Sequence, residues 1–309
     1  MCCLYGLVDP RNNLSTKQKN RILSALATAA EARGTDATGI AYNSAGKLRI
    51  FKRPWPGHVM RFYVPEDARI IMGHTRMQTH GSALKNLNNH PFSGNAGGMP
   101  FALAHNGVLY NHNNLRRTQA LPPTKIETDS YVAVQLLQQK KALDFSSLRH
   151  VAESVEGSFV FTVLDGKDNL YIVRGDNPFC LYHFPAIGVY VYASTEEILK
   201  KALSKMHLRN LLHSQISLTC GDILKINSYG EITKETFDDS KLFSFWSDPF
   251  WKPFSYHSLR STSTMEMDYL TEVKSVAMAF GYAPEDIDNL ASQGFSPEEL
   301  EEFLYCGEL

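Results

Sequence analysis

Short strand patterns occur in groups along this chain, and helical patterns separate the groups instead of alternating with single strands. Apolar runs between residues 39 and 105 predict one group of strands, and runs between residues 159 and 236 predict a second. Helical patterns at residues 129–140 and 146–155 lie between the two groups. This order favours layered α+β packing and argues against a strictly alternating parallel sheet.

Two further helices carry capping signals in the sequence. Ser15 or Thr16 is expected to cap a helix whose apolar positions continue to Gly34. The run Ser194-Thr195-Glu196-Glu197 reads as a capping box that starts a later helix.

The domain organisation follows from shifts in composition. A main domain is predicted over residues 1–240, followed by an aromatic and proline-rich segment at 241–264. We expect that segment to pack onto the main domain, with a docking surface for a partner as the alternative. Residues 265–309 hold 11 acidic residues and one basic residue in a helical pattern, which predicts a small acidic helical module, either solvated or a site of interaction. Its last helix is expected to be capped by Ser296-Pro297-Glu298-Glu299.

Charge and hydropathy exclude several classes of function. The chain has 31 basic and 32 acidic residues, with no basic run threaded by aromatic residues, so we expect no nucleic-acid partner. No apolar run reaches the roughly 20 residues of a bilayer span, so we expect no membrane partner. The cysteine count, 5, is odd and lacks zinc-ligand spacing, so reduced thiols, no metal and a cytoplasmic location are predicted.

Cys2 is the candidate nucleophile because it stands at the second position, before a predicted strand. Methionine is normally removed when the second residue is small, and removal of Met1 would give Cys2 a free α-amino group. Such an amine has a pKa of about 7.7–8.0 and can take the thiol proton and return it to a leaving group. A buried strand cysteine without chemical function is the alternative, and only the surrounding motifs decide between them.

Three polar motifs could complete such a site. Asn106-Gly107 follows an apolar strand and could direct two donors at an oxyanion, or form a simple turn. Arg76 lies at another strand end and could clamp a carboxylate with two hydrogen bonds. Asp129 opens a helix, where it could bind a substrate ammonium group or act as an ordinary cap.

Taken together, these motifs resemble, in order and approximate spacing, the class II (N-terminal nucleophile, Ntn) glutamine amidotransferases. The resemblance covers roughly residues 2–240, with Gly157-Ser158-Phe159, Arg174-Gly175-Asp176-Asn177-Pro178 and Ala193-Ser194 agreeing more loosely. The motifs that carry it are Cys2 with Gly6, Arg33-Gly34-Thr35-Asp36-Ala37-Thr38-Gly39, Gly73-His74-Thr75-Arg76 with Thr79-His80-Gly81, Asn89-His90-Pro91, His105-Asn106-Gly107 and Glu127-Thr128-Asp129.

The resemblance implies the four-layer αββα sandwich of the Ntn hydrolases and a thioester mechanism without a metal or organic cofactor. It implies that Cys2 attacks the glutamine side-chain carbonyl, while Asn106 and Gly107 stabilise the oxyanion. Arg33 is expected near the nucleophile, orienting its amine. The substrate-binding residues that it implies are Arg76 for the α-carboxylate, Asp129 for the α-ammonium group, and Thr79 and His80 along the pocket.

One residue departs from the family pattern. The family usually has glycine directly after the catalytic cysteine, and this chain has Cys3. We expect Cys3 to be a tolerated small apolar substitute. Alternatively, it displaces the nucleophile, competes as a thiol or forms a vicinal disulfide.

Three functions are compatible with this sequence. The first is a glutaminase that supplies ammonia to a separate synthase subunit, because about seventy residues after position 240 are too few for an acceptor domain. The second is an amide hydrolase on the same scaffold that acts on a γ-glutamyl amide. The third is a catalytically idle binding or regulatory homologue.

Overall fold

The computed structural model describes residues 2–243, 270, 273–274, 277, 282–293, 295, 300 and 304. The chain divides into two compact units, Met1–Trp246 and Ser247–Leu309. The first unit contains all of the residues assigned to the candidate site.

The first unit is built from thirteen strands and six helices among its described residues. The strands are β1 Cys3–Val8, β2 Ala37–Ser44, β3 Lys47–Arg53, β4 Ile70–Arg76, β5 Phe92–Ala96, β6 Met99–Leu109, β7 Gly157–Asp165, β8 Leu170–Arg174, β9 Cys180–Phe184, β10 Val189–Ala193, β11 Ser214–Gln215, β12 Asp222–Ile226 and β13 Ile232–Thr236. The helices are α1 Thr16–Ala30, α2 His112–Thr118, α3 Tyr131–Lys140, α4 Phe145–Ser154, α5 Glu196–Leu203 and α6 Ser240–Phe243, with short 3₁₀ turns at Asn86–Asn88 and His207–Asn210.

The strands form two antiparallel sheets. The first sheet has seven strands in the order β11-β9-β10-β1-β4-β2-β3. The second has six strands in the order β13-β12-β8-β7-β6-β5. The α+β class predicted from the grouped strands is therefore confirmed.

Three apolar clusters define four layers. Side chains of α1 and α5, including Leu26 and Leu199, pack with one face of the first sheet. Side chains of α3 and α4, including Leu136, pack with the outer face of the second sheet. A third cluster, including Leu4 and Val160, fills the space between the two sheets. This arrangement is the αββα sandwich.

Strand β1 lies inside the first sheet, between β10 and β4. All six of its residues are buried, as expected for a continuous apolar run in an interior strand. Ser15 forms the N-cap of α1 with a capping box through Gln18, and the helix ends at Ala30, earlier than the predicted stop at Gly34. Cys2 directly precedes β1 and therefore lies at the end of an interior strand of the first sheet.

The second unit is described only in part. Helix α7, Pro284–Ser292, contributes Ile287 to a small apolar cluster with Val273 and Leu300. The aromatic segment from residue 244 onward and the predicted cap at residues 296–299 lie outside the described residues. Within the part of the chain that the structure describes, no helix is long and apolar enough to cross a membrane.

Candidate active site

Cys2 lies partly buried at the start of β1, where its thiol is 3.5 Å from the carbonyl oxygen of Met77. Burial raises the pKa of this thiol above its ordinary value, although the positive charge of Arg76 opposes the rise. The negative charge of Asp129 acts in the other direction and adds to the rise of this pKa. A thiol with a raised pKa is mostly protonated near neutral pH, so it needs a base before it can attack.

Arg33 is hydrogen-bonded to the backbone of Cys2. Its Nε donates a hydrogen bond of 2.9 Å to the carbonyl oxygen of Cys2. The next residue, Gly34, packs directly against β4, since a Cβ built on it would lie 2.5 Å from the Arg76 carbonyl carbon. Only glycine allows this close approach, which explains the Arg-Gly pair at this point of the sequence.

Arg76 is buried at the end of β4, and its guanidinium group is hydrogen-bonded on two sides. Nη1 donates to Oδ1 of Asn89 at 2.8 Å. Nη2 donates to the carbonyl oxygens of His80 and Gly81, the latter at 2.7 Å. Each edge of a guanidinium that can hold a carboxylate with two parallel hydrogen bonds includes one hydrogen of Nη2. Such binding at Arg76 therefore requires the loop at His80 and Gly81 to release one carbonyl.

Asp129 is buried before α3 and does not cap that helix. Its carboxylate accepts hydrogen bonds from the Leu109 N–H at 2.8 Å and from the Ser130 hydroxyl at 3.3 Å. Burial acts to raise the pKa of Asp129, but the neighbouring His105 and the Leu109 N–H outweigh it and hold the pKa below its ordinary value. A buried carboxylate that stays ionised in this way is suited to a cationic partner.

Asn106 and Gly107 lie near the end of β6. The Asn106 side chain faces the space between the sheets, where its Nδ2 lies 3.4 Å from the Ser194 hydroxyl and its Oδ1 is a buried acceptor without a hydrogen-bond partner in the described structure. Gly107 has a φ of 139°, and a Cβ on it would lie 1.8 Å from the Ser158 carbonyl oxygen. This position therefore requires glycine, and it is a strand position instead of the simple Asn-Gly turn.

Thr79 and His80 follow β4 in the loop that Arg76 holds. Both are partly buried, and the His80 ring centroid lies 5.7 Å from that of His112. Cys2 is thus linked to Arg33 by a hydrogen bond and to Arg76 and Asp129 by their charges. His80 is linked to Arg76 through its carbonyl oxygen. Thr79 is linked to the site by its place in the same loop.

A group of buried histidines supports the site, and sequence reasoning assigned them no role. His74 Nε2 donates to the His105 carbonyl oxygen at 3.0 Å, and this bond links β4 to β6. The ring centroid of His90 lies 4.2 Å from that of His74, with the two ring planes tilted by 36°. Burial lowers the pKa of His74 to about 3 and places the pKa values of His90 and His105 below their ordinary range. Among the described residues, no group of three or more His, Cys, Asp or Glu side chains is arranged to hold a metal ion.

Three further residues that bond the site lie in the sequence motifs without a predicted catalytic or binding role: Asn89, Asn177 and Ser194. Ser194 was predicted to begin a capping box. Helix α5 has Thr195 as its N-cap, with the Thr195 side chain accepting from the Ile198 N–H, so the predicted capping box at Ser194 is wrong. The Ser194 hydroxyl instead accepts from the Leu4 N–H at 2.8 Å, because it lies inside the sheet packing and not on the helix.

Part of this chain is similar to known glutamine amidotransferase sequences. Residues 74–201 match the family model of a glutamine amidotransferase domain. Among curated proteins, the chain is 30% identical over 201 residues to a glutamine–fructose-6-phosphate aminotransferase (isomerizing) of Halalkalibacterium halodurans, covering 63% of this chain and 32% of the relative. The enzyme of the same name from Halobacterium salinarum is 29% identical over 217 residues, covering 68% of this chain and 34% of the relative. The chain thus spans about a third of the length of these relatives.

Solved structures support the same fold. The glutamine phosphoribosylpyrophosphate amidotransferase from B. subtilis, complexed with ADP and GMP, aligns with a TM-score of 0.61 at 18% identity. The alignment covers 77% of this chain and 49% of that one. At this identity the likeness concerns the fold, and it agrees with the two-sheet sandwich observed here.

Proposed function

We propose that this chain, which contains a class II glutamine amidotransferase domain, hydrolyses the side-chain amide of glutamine with Cys2 as its nucleophile. The observation that carries the proposal is the place of Cys2 beside the end of β4, where its thiol lies 3.5 Å from the carbonyl oxygen of Met77, the residue after Arg76. The charges of Arg76 and Asp129 both act on this thiol. A free amino acid presents a carboxylate and an ammonium group at one end. A cationic and an anionic side chain near the thiol suit that end of the substrate, and we assign the side-chain amide to the sulfur.

The chemistry begins with removal of Met1, which frees the α-amino group of Cys2. This amine accepts the thiol proton, directly or through water, because burial keeps the thiol itself protonated near neutral pH. The sulfur then attacks the amide carbon, and the Asn106 side chain and the Gly107 N–H stabilise the oxyanion. The proton passes to the leaving nitrogen, ammonia departs, and water hydrolyses the thioester to glutamate.

Substrate binding is assigned to Arg76 and Asp129. Arg76 takes the α-carboxylate and Asp129 takes the α-ammonium group, while Thr79 and His80 line the side of the pocket. Because Nη2 of Arg76 already bonds the carbonyls of His80 and Gly81, two-point binding of the carboxylate exchanges one of those carbonyls for the substrate. Glutamine binding is thereby coupled to a shift of the loop that carries Thr79 and His80.

The fate of ammonia belongs to the same proposal. We assign the acceptor reaction to a separate synthase subunit, in the cytoplasm. The curated relatives are named for transfer to fructose 6-phosphate, and this chain spans about a third of their length, so their acceptor is not carried over to it.

Intact mass and glutamate release test the proposal. In the purified full chain, we expect a mass that lacks Met1, a single adduct with 6-diazo-5-oxonorleucine on Cys2, and glutamate release from glutamine. Cys2→Ala should lose both the adduct and the activity, and Cys180→Ala, which removes a buried thiol elsewhere in the first sheet, should keep both. Retained Met1, no adduct, or equal activity in Cys2→Ala would each overturn the proposal. Hydrolysis of γ-glutamyl amides in preference to glutamine would replace glutamine as the substrate.

A further inference from the structure

Two residues outside the assigned site bond Asn106, Asn177 through its side chain and Ser194 through its hydroxyl. A third, Ser158 near the start of β7, accepts a hydrogen bond from Asn177. We propose that Asn177 and Ser194 are positioning residues that hold the oxyanion-stabilising peptide and side chain of Asn106 in their working orientation. This inference rests on the proposed function, because it concerns the same reaction.

Asn177 acts on the backbone of Asn106. It is buried, with 8% of its surface exposed, and its Nδ2 donates to the Asn106 carbonyl oxygen at 3.3 Å. The same Nδ2 donates to the Ser158 hydroxyl at 2.5 Å. The carbonyl of Asn106 and the N–H of Gly107 belong to one planar trans peptide, so they point in opposite directions. A donor fixed on the carbonyl therefore fixes the direction of the Gly107 N–H on the other side.

The segment that carries Asn177 is fastened to β7 beside this peptide. Phe159 is the ladder partner of Gly107. Its N–H donates to Oδ1 of Asp176 at 3.0 Å, and its carbonyl accepts from the Gly175 N–H at 3.1 Å. The backbone groups of Phe159 thus anchor residues 175 and 176. This anchoring fixes the place of the next residue, Asn177, relative to the Asn106 carbonyl.

Polarisation strengthens the same arrangement. A hydrogen bond to a peptide carbonyl draws electron density from the amide, which makes the N–H of that peptide a better donor. The bond from Asn177 therefore orients the Gly107 N–H and improves it for a developing negative charge. An orientation set before the reaction adds no reorganisation cost in the transition state.

Ser194 acts on the side chain of the same residue. It is fully buried, and its hydroxyl oxygen accepts from the Leu4 N–H at 2.8 Å and lies 3.4 Å from Nδ2 of Asn106. Leu4 is two residues from the nucleophile on β1. One hydroxyl therefore links the nucleophile strand of the first sheet to the oxyanion residue of the second sheet. Since Nδ2 carries two hydrogens, one can bond Ser194 while the other remains for the oxyanion.

A positioning role predicts a distinct kinetic effect. Interactions made only in the transition state change kcat, whereas a general loosening of the pocket also raises KM. Loss of an oxyanion donor outright costs about 100-fold to 1,000-fold in kcat. Misdirecting the donor while keeping it present is a smaller change, and we expect a loss of about 10-fold to 100-fold.

The test uses the full chain with Met1 removed. Asn177→Leu keeps the branched shape of the side chain in a larger, apolar form without the donor, and Asn177→Asp keeps both size and shape with acceptors only. Both are expected to lower kcat for glutamine by about 10-fold to 100-fold with an unchanged KM. Ser158→Ala, which leaves the bond from Asn177 to Asn106 in place, should lose only a few-fold. The matched control is Asn114→Ala on the exposed face of α2, which should match the wild type.

Two further measurements separate positioning from a structural role. Alkylation of Cys2 by iodoacetamide needs no oxyanion site, so its rate should be the same in the wild type and in the Asn177 variants. Glutamate γ-semialdehyde forms a thiohemiacetal with the thiol and places an oxygen in the oxyanion site, so its affinity should fall together with kcat. Ser194→Ala should reproduce this pattern.

The outcomes distinguish this inference from the function on which it rests. If the wild type releases no glutamate, the proposed function fails, whatever the variants do. If the wild type is active and the Asn177 variants keep its kcat, the positioning role is wrong. A loss of kcat accompanied by an equal loss of alkylation rate, or by a proportional rise in KM, would also overturn it. Should Ser194→Ala or Asn177→Asp fail to fold, Asn177→Leu and Ser158→Ala decide the question.

Discussion

The Nε of Arg33 donates a hydrogen bond of 2.9 Å to the carbonyl oxygen of Cys2. This bond holds the peptide that follows the nucleophile, whereas the family resemblance led us to expect contact with the amine. Because Gly34 in the same loop packs against the backbone of Arg76, one loop connects Cys2 with Arg76. The position of Cys2 therefore depends on a residue 31 positions away in the chain.

Arg33→Met should lower kcat for glutamine hydrolysis by about 10-fold or more, with a smaller change in KM. The substitution keeps an apolar stem of similar length but removes the donor to the Cys2 carbonyl, so the thiol loses its fixed place relative to the amide. Steady-state kinetics of glutamate release measure the effect. Arg117→Met on the exposed face of α2 is the control and should behave as the wild type. An unchanged kcat in Arg33→Met would refute a positioning role for this bond.

Cys3 is a packing residue in this structure. It is 0% exposed within the apolar cluster beneath α1, and burial raises the pKa of its thiol to about 11. Iodoacetamide at neutral pH should therefore modify Cys2 and leave Cys3 unmodified, as read by peptide mass mapping. Cys3→Ala should keep kcat within about two-fold and lower the free energy of unfolding by about 1 kcal/mol. Modification of native Cys3, or an inactive but folded Cys3→Ala, would contradict this assignment.

The sequence predicted most of the sandwich because its interior strands are apolar runs bounded by turn residues. Strands β8 and β12, for example, lie within the group predicted between residues 159 and 236. Strand β5 was missed, since Phe92-Ser93-Gly94-Asn95-Ala96 carries turn-forming residues and pairs only through its neighbour β6. Such edge strands are stabilised by tertiary pairing, which a local pattern does not contain.

The sequence motifs name the residues of the candidate site but not the hydrogen bonds among them. Arg76 and Asp129 were identified as charged groups at the ends of elements. The hydrogen bonds from the Arg76 guanidinium to Asn89 and to the His80 carbonyl depend on how the loop after β4 folds back, which the sequence motif does not encode. Ser194 shows how a local signal can mislead. The residues around it fit a capping box, but Thr195 caps the helix and the Ser194 hydroxyl accepts from the Leu4 N–H.

Arg76→Lys should raise KM for glutamine by about 10-fold or more, with a smaller loss of kcat. A lysine keeps the charge but lacks the planar fork, so it cannot bond Asn89, the loop carbonyl and a carboxylate together. The alkylation rate of Cys2 by iodoacetamide, which needs no carboxylate clamp, should stay within a few-fold of the wild type. Lys47→Arg, a reverse exchange on an exposed strand end, is the control. An unchanged KM would remove Arg76 from the glutamine pocket.

Asp129→Asn should likewise raise KM, because the amide cannot offer a negative charge to the α-ammonium group. The variant keeps an oxygen for the Leu109 N–H, so the fold should persist, as read by thermal unfolding. Glutarate monoamide, which lacks the α-ammonium group, is the matched probe. Its hydrolysis by the wild type and by Asp129→Asn should be similar. If Asp129→Asn loses activity equally towards both amides, Asp129 does not act through the ammonium group.

The stability of the first unit should fall in acid through His74. Burial lowers the pKa of His74 to about 3 from an ordinary value of 6.5, while Nε2 donates to the His105 carbonyl oxygen between the two sheets. The unfolded chain therefore binds a proton that the folded chain does not bind, so the contribution of His74 is complete above about pH 6.5 and declines as the pH falls towards 3. Between pH 7 and pH 5 this one group accounts for a loss of about 2 kcal/mol in the free energy of unfolding.

The variant His74→Gln separates this effect from those of the other buried histidines. Glutamine keeps an N–H donor of similar reach for the His105 carbonyl but has no group that titrates in this range. Denaturant unfolding at pH 7 and pH 5 should show a loss that is smaller by about 2 kcal/mol in His74→Gln than in the wild type, with the remainder due in part to His90 and His105. His213→Gln, which changes an exposed histidine, should keep the full wild-type loss. Equal losses in the wild type and in His74→Gln would show that His74 takes up its proton without unfolding, and the inter-sheet bond would then not depend on the neutral ring.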